Sequence, residues 1–103
     1  HFMEAISLIN GGYKDPCLSI EGVCAQAGIS QTAFRTLFKK HYQKPPSAYI
    51  TNLRLEYARN RIASGASIES SALESGFTDP KYFARTVKKH FGCTPRELKN
   101  YGK

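Results

Sequence analysis

The sequence predicts an all-α chain: two helix-turn-helix lobes joined by a long connector helix, about seven helices in all. Three observations carry this. The chain contains the same piece twice. Its apolar residues recur at helical spacing between capping residues, and no alternating run marks a strand. Glycines and prolines punctuate the ends of these stretches.

The duplication is read directly from the residues. Ser19-Ile20-Glu21 recurs as Ser67-Ile68-Glu69, and Gly28 as Gly76. Phe34 recurs as Phe83, Lys39-Lys40-His41 as Lys88-Lys89-His90, and Pro46 as Pro95. Past the glycine the register slips by one residue, so the second copy carries one extra residue in its turn. Each copy is a short helix, a tight turn and a second, basic helix. Residues 1–103 therefore read as one domain, with lobe one over about 3–46, the connector over about 47–64 and lobe two over about 65–101.

The elements follow in order. Met3, Ile6, Ile9 and Tyr13 fall at helical spacing and predict a first helix over 3–13, weakened by Gly11-Gly12 and stopped by Asp15-Pro16. Ser19 caps a second helix whose buried face is Ile20, Val23, Cys24 and Ala27, and Gly28 ends it in the left-handed conformation. Ser30 caps a third helix to about His41, with Phe34, Leu37 and Phe38 inward. Pro45-Pro46 forces a break, and Ser47 is expected to cap the connector. Its apolar positions are Tyr49, Ile50, Leu53, Leu55, Ala58 and Ile62. Gly65 closes it. Ser67 caps a fifth helix ending at Gly76, and Phe77 staples the turn. Asp79 caps a sixth helix with Pro80 at its first position, running to about His90 with Phe83 and Val87 inward. Thr94-Pro95 opens a short last helix that packs back through Leu98 and Tyr101, with fraying expected from about Asn100.

Composition narrows the function. Net charge is +7, from 15 Lys and Arg against 8 Asp and Glu, which points to a polyanionic partner such as nucleic acid. A solvated basic surface is the plain alternative. The 3 cysteines, Cys17, Cys24 and Cys93, form no CxxC pair, so they support neither a disulfide framework nor a zinc knuckle and fit reduced thiols in the cytoplasm. No apolar run is long enough to span a bilayer, so no membrane partner is expected. There is no Ser/His/Asp set, no paired-carboxylate cleft and no phosphate-binding glycine loop, so the reading is not an enzyme and calls for no cofactor or metal. The start His1-Phe2-Met3 reads as two foreign residues ahead of a piece of a longer chain.

The outward face of the third helix carries Gln31, Thr32, Arg35, Thr36 and Lys39. Glutamine pairs with adenine and arginine with guanine, and a threonine methyl touches the thymine methyl, all from the major groove. An ordinary polar helix face is the alternative; the glycine turn and the duplicated basic context favour base contact. The matching positions of the sixth helix are Pro80, Lys81, Ala84, Arg85 and Lys88. Arg35 aligns with Ala84 and Thr36 with Arg85, so two unlike readers imply an asymmetric target. Lys39, Lys40, Lys88 and Lys89 fit phosphates, as do the helix N-termini opened by Ser19 and Ser67, which are also plain caps. His41 and His90 are matched last-turn residues rather than metal ligands, and Cys24, opposite Ala72, reads as a buried thiol. An architectural duplex binder and a helical protein-interaction module are the competing readings.

The stretch Gly76-Phe77-Thr78-Asp79-Pro80-Lys81-Tyr82-Phe83-Ala84-Arg85-Thr86-Val87-Lys88-Lys89-His90-Phe91-Gly92-Cys93-Thr94-Pro95 resembles the signature of the AraC/XylS family of bacterial transcription regulators. Gly28, Ser30, Phe34, Phe38-Lys39-Lys40 and Pro46, with Tyr49-Ile50, Arg54-Leu55 and Ala58, are similar to the rest of its DNA-binding domain. The resemblance spans about Leu18 to Tyr101. It implies recognition helices entering adjacent major grooves on one face of double-stranded DNA. The base-reading positions are then Gln31, Thr32, Arg35 and Thr36, and in the second copy Pro80, Lys81, Ala84 and Arg85, with Lys81 and Arg85 the effective ones. It also implies RNA polymerase as a partner, a cytoplasmic bacterial setting, and an N-terminal effector or receiver domain absent from this piece, which should itself bind as a monomer. Ser71, Ser75 and Thr86 depart from the family's apolar pattern and predict a less well-packed second lobe.

Overall fold

The computed structural model describes residues 1–101, with residues 100 and 101 described by their backbone alone. The described residues form seven α-helices and no strand. They are α1 (Phe2–Gly12), α2 (Ile20–Ala27), α3 (Gln31–Tyr42), α4 (Pro46–Ala63), α5 (Ile68–Glu74), α6 (Pro80–Phe91) and α7 (Pro95–Tyr101). Contacts divide them into two compact units, and the division falls between Leu53 and Arg54, inside α4.

The first unit is built on an aromatic core. Ala5, Ile6 and Ile9 of α1, Val23, Cys24 and Ala27 of α2, Phe34 and Phe38 of α3 and Ile50 of α4 are all buried. The rings form a chain: Phe2 on Phe34 (5.7 Å), Phe34 on Phe38 (5.6 Å), Phe38 on Tyr42 (4.5 Å) and on Tyr49 (5.2 Å). The Tyr49 hydroxyl donates to Asn10 Oδ1 (2.7 Å), which ties α4 to α1. Phe2, set aside from sequence as a foreign residue, is thus part of this packing, and His1 Nδ1–H donates to the Ala27 carbonyl (3.0 Å). Leu37 is half-buried rather than central. The α1–α2 loop turns at Asp15, whose Oδ1 accepts from the Cys17 amide (2.8 Å).

The second unit has fewer ring contacts, chief among them Phe77 edge-on to Phe83 (4.9 Å). Leu55, Ala58 and Ile62 of α4 pack with Ala72, Phe77, Phe83, Val87, Cys93 and Leu98. The two serines expected to loosen this lobe are fully buried, but each hydroxyl bonds its own helix. Ser71 Oγ donates to the Ser67 carbonyl (2.7 Å) and Ser75 Oγ to the Ala72 carbonyl (3.0 Å). Thr86 Oγ1 does the same to Tyr82 (2.7 Å). These bonds to the helix backbone offset the cost of burying the hydroxyls. The side chain of Tyr101 and the fraying expected from Asn100 lie outside the described side chains.

The helix starts follow their caps. Ser19, Ser30 and Ser67 each accept an amide of the first turn through Oγ, and Asp79 accepts from Lys81. The connector is a correction: Ser47 is not its cap. Pro46 is its first residue, and the Pro45 carbonyl accepts from Ala48 and Tyr49. The chain does break between Tyr42 and Pro46, and because proline has no amide to lose at the first helical position the new helix starts on Pro46 itself. Pro95 does the same for α7, with an added capping box. Thr94 Oγ1 accepts from the Glu97 amide, and Glu97 Oε1 accepts from the Thr94 amide and hydroxyl (both 3.0 Å).

Candidate nucleic-acid interface

Both turns that precede the basic helices close in the same way. The Ile29 amide donates to Cys24 O (3.1 Å) and the Phe77 amide to Ala72 O (3.0 Å). Gly28 (φ 74°) and Gly76 (φ 105°) supply the left-handed step that lets the chain double back. The alignment therefore holds through Ile29 and Phe77, and the extra residue of the second copy is the exposed Thr78.

Beyond the turns, α3 and α6 each bury two residues one turn apart, Phe34 and Phe38 in one and Phe83 and Val87 in the other. Everything else follows from helical geometry, in which residues four apart stack on one row. In α3 the row farthest from the core is Thr32, Thr36 and Lys40, and the row beside it is Gln31, Arg35 and Lys39; all six are exposed. In α6 the matching rows are Lys81, Arg85, Lys89 and Pro80, Ala84, Lys88, also exposed throughout. The structure thus brings together the candidates within each helix. Arg35, Thr36, Lys39 and Lys40 line one shallow, open cleft. Ser19 and Ser67 are exposed at the starts of α2 and α5, their Oγ atoms held in capping bonds.

Most of the charges on these rows lie apart from any carboxylate among the described residues, with Lys88 near Glu97 the exception. Among the described residues Arg35, Lys39, Lys40, Lys81, Arg85, Lys88 and Lys89 make no salt bridge. On α4 the opposite holds: Arg59 pairs with Glu56 (2.8 Å), and Arg61 with Glu74 of α5. Cations left in water are available to an incoming phosphate, whereas paired ones must first break a bond. Two neighbours feel the free charges. Burial pushes the Cys24 thiol up from its ordinary value, with the nearby Arg35 guanidinium opposing it. The Glu97 carboxyl is held below its ordinary value by its Thr94 backbone and side-chain hydrogen bonds, with Lys88 adding to them.

Two exposed apolar residues were missed by sequence reasoning. Tyr82, 47 % exposed on α6, lies between the two rows and the core with its ring against Phe77 (6.1 Å). Leu73 of α5 is 57 % exposed. An aromatic inside a basic helix was the available signal for the first; nothing in the pattern marked the second. His41 stacks on Phe2 (5.3 Å) and His90 edge-on to Phe91 (4.7 Å). Cys17 is exposed, and Cys24 and Cys93 are buried, all as free thiols. No helix among the described residues is long and apolar enough to cross a membrane.

Comparison with known proteins adds to this geometry. A helix-turn-helix domain family model matches residues 23–101. The virulence regulon transcriptional activator VirF of Yersinia enterocolitica is 36 % identical over 73 residues, covering 70 % of this chain and 27 % of its own length. The raffinose operon transcriptional regulatory protein RafR of Pediococcus pentosaceus is 33 % identical over 95 residues, covering 91 % of this chain and 34 % of its own length. The chain thus spans about a third or less of these relatives. A crystal structure of a regulator with an AraC-type DNA-binding domain from Chromobacterium violaceum superposes with a TM-score of 0.85 at 31 % identity, over 98 % of this chain and 90 % of that one.

Proposed function

Because the chain belongs to the AraC/XylS family of bacterial transcription regulators, as a DNA-binding domain of that family, we propose that it reads an asymmetric duplex site with two unlike recognition helices set in adjacent major grooves. In this reading α3 contacts bases through Gln31, Thr32, Arg35 and Thr36, and α6 through Lys81 and Arg85. Lys39, Lys40, Lys88 and Lys89 hold phosphates, together with the helix starts at Ser19 and Ser67. Phosphate contacts supply most of the affinity and base contacts the discrimination. One polypeptide with two different readers binds as a monomer. Once bound, it contacts RNA polymerase.

The observation that carries the proposal is the row of unpaired cations on α3 and α6, set beside the salt-bridged arginines of α4. Selection of bound duplexes from a random pool tests it. The expected result is one asymmetric site with two dissimilar half-sites about one helical turn, ~34 Å, apart. Affinity for that site should fall by about 10³–10⁵ between roughly 50 and 200 mM salt, as for six to ten phosphate contacts. A flat salt response would overturn the nucleic-acid reading. A pool that emerges without sequence preference would leave an architectural binder in its place, and a palindromic site bound by two chains would remove the asymmetric one.

A further inference from the structure

Aligned row by row, α3 and α6 differ most at two positions. Where lobe one presents Gln31 and Arg35, lobe two presents Pro80 and Ala84. Both are exposed, one turn apart, on the row beside Lys81 and Arg85. The loss of the long side chains opens a cavity of about 450 Å³ between α5 and α6, lined by Pro80 and Ala84 with Ala72, Leu73, Phe77 and Phe83. Glu69, on α5, is its charged lining residue. Lobe one has Ala25 where Leu73 stands, so the apolar part of the α5 wall is larger in lobe two, with Glu69 beside it.

This edge borders the cationic row, so a duplex drawn onto Lys81, Arg85 and Lys88 brings base edges against it. Proline offers no donor and alanine no polar atom. A thymine C5 methyl loses nothing and gains apolar contact.

We infer that lobe two selects a 5-methylated pyrimidine, thymine, through the Pro80–Ala84 edge of α6, next to the base read by Arg85. The inference rests on the proposed base reading by α6 and assigns it a second, apolar half. It makes the two half-sites differ in kind: lobe one discriminates by polar contacts, lobe two by the charged contacts of Lys81 and Arg85 and one methyl.

The test replaces each thymine of the selected lobe-two half-site with deoxyuridine, which keeps the hydrogen-bonding edge and removes only the methyl. One position should lose about fourfold in affinity, the worth of one buried methyl group. Ala84→Arg restores the lobe-one residue at an exposed helical position. It should abolish the uracil effect and move the preference there toward guanine. If no thymine responds to uracil while Arg85→Ala still relaxes the half-site, the methyl inference fails and the base reading stands. A uracil effect that persists unchanged in Ala84→Arg means another residue reads the methyl, which also overturns it. If Arg85→Ala leaves half-site preference intact and uracil has no effect, base reading by lobe two fails as a whole.

Discussion

Lobe one packs α3 in a chain of ring contacts from Phe2 to Tyr49 and presents a mixed polar face; lobe two packs α6 through the Phe83–Phe77 ring pair and aliphatic neighbours, and presents a cationic row beside one that holds Pro80, Ala84 and Lys88. The two copies share their caps, their left-handed turn and the hydrogen bond that closes it. What the duplication kept is the frame that aims the helix. What it let drift is the filling behind the helix and the chemistry in front of it. Charge moved between rows: Arg35 stands beside the outermost row in α3, and Arg85 stands in it in α6.

The sharpest way to break this comparison is in the cores. Phe38 and Val87 are matched and each is essentially inaccessible. Phe38→Ala removes a ring that touches Phe34, Tyr42 and Tyr49, and should cost about 3–5 kcal/mol by chemical denaturation. Val87→Ala should cost about 1.5–3 kcal/mol. If the valine proves the more expensive, the aromatic core is not the stiffer one.

The recognition faces come next. Arg35→Ala and Arg85→Ala should each cost about 1–3 kcal/mol of binding and relax preference at opposite ends of the site, while Lys40→Ala weakens all sequences alike. Equal losses on specific and random duplexes for Arg35→Ala would remove that residue from base reading.

Smaller effects separate the helix ends. Only the second copy follows its recognition helix with a capping box; the matching position to Thr94 in the first is Pro45. Thr94→Ala should lower stability by about 1 kcal/mol. The Glu97 carboxyl sits below its ordinary value when folded, so its contribution is present above the ordinary carboxylate range and is lost as pH falls through the depressed one. Protection factors of amides near α7 should fall on acidification before those near α1; the reverse order would contradict this. Smallest of all, α3 ends on Gln43 at φ 57° where α6 ends on Gly92 at φ 76°. Gln43→Gly should relieve left-handed strain and raise stability by a few tenths to about 1 kcal/mol, less whatever the bond from its Nε2 to the Lys40 carbonyl contributes. A loss of stability would mean that bond outweighs the strain.

Much of the fold was legible because it rests on local rules. Ser19, Ser30, Ser67 and Asp79 cap where their side chains allow, and Gly28 and Gly92 end helices where only a left-handed residue fits. The misses came where two signals competed or where the partner was distant in sequence. The break ahead of Pro46 is present, but the start after Ser47 was misplaced, because proline disfavours a helix before it and also suits the first helical turn. Ser71 and Ser75 counted against packing because polarity is visible in a sequence and a bond to the preceding turn is not. The candidate face was legible as a set of exposed residues, since helical rows follow from spacing. Its electrostatics were not: that Arg59 and Arg61 are paired while Arg35 and Arg85 are unpaired depends on which carboxylates fold beside them.

The division inside α4 has a further consequence. Ile50 and Leu55 lie little more than one turn apart on one helix and are buried in different cores. Neither half of an 18-residue helix is long enough to stay helical in water alone. Melting of one unit therefore strips the shared helix of half its support and carries the fraying toward the other. Heat or a core mutation in one unit is therefore expected to lower the stability of the other.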